Sequence, residues 1–127
     1  MTDAVELTEA EAEAQVIAKQ NDQFRKTWGA DFTIPGKIVV TQSVACLSAG
    51  AQVQIMRAVQ AFDTFTEDND PYGDHSFGAF EIECAGETVK LFWKIDLYDR
   101  AYKYGSEAPA DTSETRRVLT ILQRHEY

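Results

Sequence analysis

Two cysteines, three prolines and seven glycines are all that this 127-residue sequence offers in the way of staples and chain punctuation. Cys46 and Cys84 stand far apart, outside any C-x-x-C spacing, and neither has a cation beside it in sequence. Both read as small buried hydrophobes rather than as a disulfide, zinc ligands or nucleophiles. No apolar run is long enough to span a membrane, and the N-terminus, MTDAVELTEAEAEAQ, is acidic where a secretory leader would be basic and then apolar. A cytoplasmic location is therefore expected. Also missing are a P-loop, a dinucleotide fingerprint, a G-x-S-x-G elbow and an H-E-x-x-H pair. No cofactor is expected.

The most informative lack is local. Between Arg57 and Lys90 there is no Lys or Arg, while Asp63, Glu67, Asp68, Asp70, Asp74, Glu81, Glu83 and Glu87 all fall there. The net charge of -9 is thus concentrated mid-chain, since from Lys90 onward seven basic residues meet six acidic ones. Such a segment repels nucleic acid and anionic membrane, and it favours cations or a basic protein surface.

What is present fits a globular domain: 44% hydrophobic and 26% charged residues, on a chain long enough to bury roughly two thirds of its unfolded surface. Residues 1–7 read as a flexible tail and 8–127 as a single α+β domain. Thr8 with Glu11 fits a capping box, opening a helix that runs to about Trp28. Ile17, Asn21, Phe24 and Trp28 share one stripe of it, so Asn21 reads as a buried amide that fixes a loop, with a ligand contact as the sharper reading. KIVVT reads as a buried strand. Ser48 caps a second helix, roughly 49–63, whose buried side is Val53, Met56, Val59 and Phe62.

GAFEIEC and VKLFWKIDL alternate as a hairpin. With Gly86-Glu87 as its two-residue loop, Cys84 faces Val89, Ile82 faces Leu91, Phe80 faces Trp93 and Glu83 faces Lys90. VLTIL is read as a final strand for its β-branched residues, against a helix suggested by Asp111 and Glu114. The expected fold is α+β, two helices packed on one face of a small antiparallel sheet of three to four strands containing a central hairpin.

The candidate site is EDNDPYGDH, Glu67 to His75. Asp70-Pro71-Tyr72-Gly73 has the residues a type I turn prefers, but that turn does not require Glu67, Asp68, Asp74 or His75. A solvated acidic loop is one reading. An EF-hand beginning at Asp68 fails at Tyr72 and Ala79, where oxygen ligands are needed; a looser divalent site from Asp68, Asp70 and Asp74 stays open. A hydrolase would take His75 as base or ligand, completed by Asp96, Asp99 or Glu81. Lys94, Asp96 and Tyr98 share the outer face of their strand and are candidate binding residues with Tyr72 and Asp99. YDRAYKYG mixes tyrosine with Arg100 and Lys103, a composition suited to a rim or an interface.

The stretches AFDTFTEDNDPYGDHSFGAFEI, LFWKIDLYDR, YGSEAPAD and TRRVLTIL, together with QNDQFR and GKIVVTQSVACL, resemble a family of small, mostly alphaproteobacterial proteins known only as a domain of unknown function. The resemblance rests on DNDPYG-x-H-x-FG followed by FWKID and runs from about Ile17 to Tyr127. It implies that the acidic turn belongs to a shared pattern, together with Asn21, Asp22, Phe62, Asp63, Asn69, Trp93 and Lys94. It also implies residence on plasmids and other mobile elements, hence a role in element maintenance or in countering host defence. The expectation is a non-catalytic acidic protein that binds a basic protein surface, such as the nucleic-acid-binding site of a host defence protein, without binding nucleic acid or membrane itself. The alternative is a metal-assisted hydrolase or small-ligand binder using the acidic turn and His75. A homodimer through the outer hairpin face at Phe92 and Tyr98 is a third reading.

Overall fold

The computed structural model describes residues 7–127; the tail expected over residues 1–7 lies, but for Leu7, outside them. Helix α1, Glu9–Lys26, starts at the expected capping box: Glu11 N donates to Thr8 Oγ1 at 3.1 Å and Thr8 N to Glu11 Oε1 at 3.2 Å. It stops because Trp28 takes a left-handed φ of 51°, so that Gly29 N reaches back to Phe24 O and Trp28 N to Arg25 O. Strand β1 is Gly36–Val40, helix α2 a single turn at Gln42–Ala45, and helix α3 Ala49–Ala61, capped by Ser48 Oγ. Strands β2, Phe77–Cys84, β3, Glu87–Tyr98, and β4, Arg116–Gln123, follow, with a closing 3-10 turn at Arg124–Glu126.

The four strands lie in the order β1-β4-β3-β2. The α+β class and the hairpin are as expected, and VLTIL is a strand at the centre of the sheet. The β1–β4 pair is parallel, however, so the sheet is mixed. KIVVT is consequently an edge strand rather than a buried one, with Val39 and Val40 each more than a third exposed.

The hairpin turn is Ala85-Gly86, both residues at positive φ, and Cys84 pairs with Glu87. Two left-handed residues make the turn whose twist matches that of the strands. Relative to the expected register the partner strand moves by two residues, so each side chain keeps its face while its partner changes. Ile82 now faces Val89, Phe80 faces Leu91, Glu83 faces Thr88, and Trp93 faces Gly78.

The core lies between one sheet face and the helices. Trp93, Leu91, Leu119 and Ile121 are fully buried there with Phe24, Val44 and Val59, Ile55 being nearly so. Each such side chain contributes about 1.5–3 kcal/mol relative to exposure. Helix α3 turns Ala51, Ile55 and Val59 inward; Val53, expected inside, is 42% exposed because, two positions from both Ala51 and Ile55, it sits on the opposite side of the helix. Cys46, also expected inside, is exposed just after α2, and Cys84 is half-buried at the hairpin end. Among the described residues no helix is long and apolar enough to cross a membrane.

Candidate functional site

The acidic loop between α3 and β2 is held by its own polar side chains. Asn69 Oδ1 accepts from Thr66 N at 2.8 Å, and Asn69 Nδ2 donates to Thr64 O at 2.8 Å. Gly73 N donates to Asp70 O, closing the expected turn over Pro71 and Tyr72. Gly73 and His75 then take φ of 68° and 53°. His75 is held in this region, unfavourable for an L-residue, because Asp70 Oδ1 accepts its N–H at 3.1 Å. Asn21, fully buried on α1, donates to Asp74 O at 2.9 Å. It is the loop-fixing amide that its place on the helical stripe suggested.

This backbone path turns the His75 ring back toward α1. The imidazole stacks on Phe65 at 3.7 Å between centroids and 3° between planes. Its Nδ1 lies 2.9 and 3.0 Å from the two oxygens of Asp22, and its Nε2 lies 3.7 Å from Asp70 Oδ2. The Asp70 side chain is only 7% exposed, and burial pushes its carboxyl above the usual range, opposed by the His75 backbone bond.

Asp22 is shared. Arg25 Nη2 donates to its Oδ1 at 2.7 Å, while Arg25 Nη1 donates to Val59 O and Phe62 O at 2.7 and 3.0 Å, the carbonyls at the end of α3 that no helical partner satisfies. The Arg25 guanidinium lies 4.7 Å from the Trp93 ring centroid and 5.5 Å from that of Phe65. Burial lowers its pKa, opposed by Asp22. The result is a line of contacts, Trp93, Arg25, Asp22, His75, Asp70, that joins α1, α3, the loop and the sheet.

Two clefts of about 220 Å³ flank the Asp22–His75 pair. One is lined by Arg25, Lys26, Asp63 and Phe65, the other by Gln15, Lys19 and Gly73. A larger hollow of about 500 Å³ lies elsewhere, between Asp99, Ser106, Glu107 and Glu114.

The candidate residues divide into separate groups. Asp70 and His75 meet. Glu67, Asp68 and Tyr72 stand out into solvent, Tyr72 being 80% exposed, and Asp74 accepts from Ser76 Oγ at 2.8 Å. Among the described residues, no three His, Cys, Asp or Glu side chains are gathered so as to hold a metal ion. Lys94 and Asp96 form a 2.9 Å ion pair on the helix-free face of β3, which raises the Lys94 pKa. Asp99 accepts from the N–H groups of Ala101 and Lys103, shaping the loop after β3, and Tyr98 bridges to Gly105. Among the described residues the carboxylates beside the His75 ring are those of Asp22 and Asp70, and no bond joins the ring to Asp96 or Asp99. Phe92 is packed against Phe77 and Tyr127.

Arg25 and Phe65 are not singled out in the sequence, and Asp22 enters only through the family resemblance, outside the candidate site. Asp22 and Arg25 are three apart on one helix, the spacing at which opposite charges meet; that was the available signal.

The fold and site define an α+β domain whose acidic, turn-rich loop packs a histidine between two carboxylates. A family described as "Protein of unknown function (DUF3768)" matches residues 40–126, and the chain belongs to it. The matched stretch carries the acidic loop, the hairpin and β4; α1, which supplies Asn21, Asp22 and Arg25, precedes it. No curated protein and no solved structure matches the chain.

Proposed function

We propose that this protein is a small non-catalytic binding protein that presents carboxylates to a basic protein surface. The observation that carries the reading is how the eight acids of the cation-free segment are deployed. Asp70 and Asp74 are spent on holding the loop, while Asp63, Glu67, Asp68, Glu81, Glu83 and Glu87 are exposed. They run from the loop, along the edge strand β2, to the hairpin turn, so one flank of the sheet is anionic. Glu81 is partly compensated, standing across from Lys90 and 4.0 Å from Arg124, but among the described residues no ion pair reaches Asp63, Glu67, Asp68, Glu83 or Glu87. A surface that ordinarily holds nucleic-acid phosphates is the complementary partner, and a host defence protein in the cytoplasm is the kind the sequence resemblance suggests.

The test is retention of proteins from source-cell lysate on the immobilised chain, at low and at high salt. The control is a chain carrying Glu67→Gln, Asp68→Asn, Glu81→Gln and Glu83→Gln. A basic protein held at low salt, released at high salt and not held by the variant is the expected result. Salt-insensitive retention, equal retention by both chains, or no basic partner on either overturns the reading.

A second reading, a small-ligand or hydrolytic site at His75, is favoured by the two clefts beside the Asp22–His75 pair. Asp22 holds Nδ1, so Nε2, 3.7 Å from Asp70 Oδ2, is the nitrogen that would act on a ligand. Thermal shift with magnesium, manganese, calcium or zinc tests its metal-assisted form: a Tm raised in the wild type and unchanged in His75→Gln supports it. No shift with any of the four removes the metal-assisted version.

A further inference from the structure

We propose that the free edge of β2 accepts an added strand, an extended cationic segment of another protein that binds main chain to main chain beside Glu81 and Glu83. The proposal rests on the binding reading above and specifies its mode.

Among the described residues strand β2 has a partner on one side only. The ladder to β3 continues one step past its start, with Ile95 N donating to Ser76 O at 2.8 Å, and ends at the Cys84–Glu87 pair closing the two-residue turn. In an antiparallel ladder, doubly bonded pairs alternate with unbonded ones. The bonded positions are therefore Gly78, Phe80, Ile82 and Cys84, and the N–H and C=O groups of Phe77, Ala79, Glu81 and Glu83 point away from β3. Among the described residues one of these is occupied: Gln54 Nε2 donates to Glu83 O at 2.9 Å. Ala79, Glu81 and Glu83 are exposed.

An eight-residue edge without proline, lysine or bulge lacks the usual guards against pairing. The guard that is present has a sign. A second copy laid antiparallel along β2 would set glutamates against glutamates, whereas a basic strand would set lysine or arginine against them. The charge thus selects a cationic partner over self-association. Side chains of Phe77, Ala79, Glu81 and Glu83 share the helix-free face, so the incoming strand is expected to alternate basic residues on that face with apolar ones on the other.

The probe is a peptide of about ten residues alternating lysine and valine, with a second version N-methylated along its bonding edge, titrated into the full chain while amide exchange is followed. Exchange at Ala79 and Glu81 is expected to slow by about tenfold. Ile38 and Val40, whose amide groups face away from β4 at the far edge, should be unchanged. N-methylation, or Glu81→Lys with Glu83→Lys, should weaken binding by about tenfold. Salt-dependent binding that leaves Ala79 and Glu81 unprotected, or that N-methylation does not weaken, overturns strand addition while the acidic-binder reading stands. No binding at low salt overturns strand addition as well, and the lysate experiment then decides the acidic-binder reading separately.

Discussion

Gly78 lies directly across the sheet from Trp93, and the indole fills the space that a side chain at 78 would need. A Cβ there would overlap the Trp93 ring and also meet Phe62, 2.9 Å away. Trp93 is fully buried and pinned by Phe62, Phe65 and Arg25, so it has no room to withdraw. Gly78→Ala should therefore destabilise the fold by about 1–3 kcal/mol, the range for overpacking. Urea unfolding checks this; a change under about 0.5 kcal/mol, the scale of an inert surface substitution, would contradict the packing account.

Asp22 neutralises a guanidinium that is 1% exposed. Asp22→Ala leaves Arg25 charged, buried and without the carboxylate it is hydrogen-bonded to, which should cost about 3 kcal/mol. Arg25→Met keeps the packing against Trp93 and leaves an Asp22 that is partly in water, but it also strips the Val59 and Phe62 carbonyls of their donor, so it too should cost about 1–3 kcal/mol. A double-mutant cycle reads the coupling: the pair of substitutions together should destabilise less than the sum of the two.

Asp70 predicts a pH dependence of defined sign. Its folded-state pKa is raised chiefly by burial, so between the ordinary value of 3.8 and the raised one the folded chain holds more protons than the unfolded chain. Stability contributed by this group falls as pH rises through that window, and above it the full desolvation cost remains. Asp70→Asn removes the charge and keeps an oxygen for His75 N, so at pH 7 it should be at least as stable as the wild type. That advantage should vanish below the ordinary carboxylate range. Asp70→Ala, which leaves the His75 N–H without its acceptor, should be less stable at every pH. Unfolding curves across pH for the three chains check this.

The elements that were legible in the sequence are those whose cause is local. The capping box at Thr8 and Glu11, the Ser48 cap and the Asp70-Gly73 turn each depend on residues within four positions, and each formed as read. The hairpin's faces followed from alternation, but its register depended on whether Ala85 would accept a left-handed conformation, which composition disfavours. The glycine at 78 held the missing constraint, since only one register puts it opposite Trp93. The edge position of β1 and its parallel pairing with β4 depend on contacts some 80 residues apart. The candidate site was half legible. The loop motif pointed to Asp70 and His75, while Asp22 and Arg25, on a helix some fifty residues upstream, come into it only through the tertiary fold.

Arg117 connects the sheet to the acidic loop through Asn21. The fully buried guanidinium donates Nε to Asn21 Oδ1 at 2.7 Å and Nη2 to Gln20 Oε1 at 2.8 Å, and Asn21 in turn donates to Asp74 O. Burial pushes its pKa down to about 10, yet it stays protonated at neutral pH. Arg117→Lys supplies a charge but not the planar fork that spans two amides, so the buried Asn21 oxygen or the Gln20 oxygen loses its donor, at about 1–3 kcal/mol. An Asn21 amide freed on one side should also hold Asp74 less firmly. Amide exchange at Gly73 and His75 should then quicken in Arg117→Lys by more than at the hairpin amides of Ile82 and Leu91. Uniform acceleration at all four would mean that the substitution lowers global stability alone, and that the sheet does not brace the loop through Asn21.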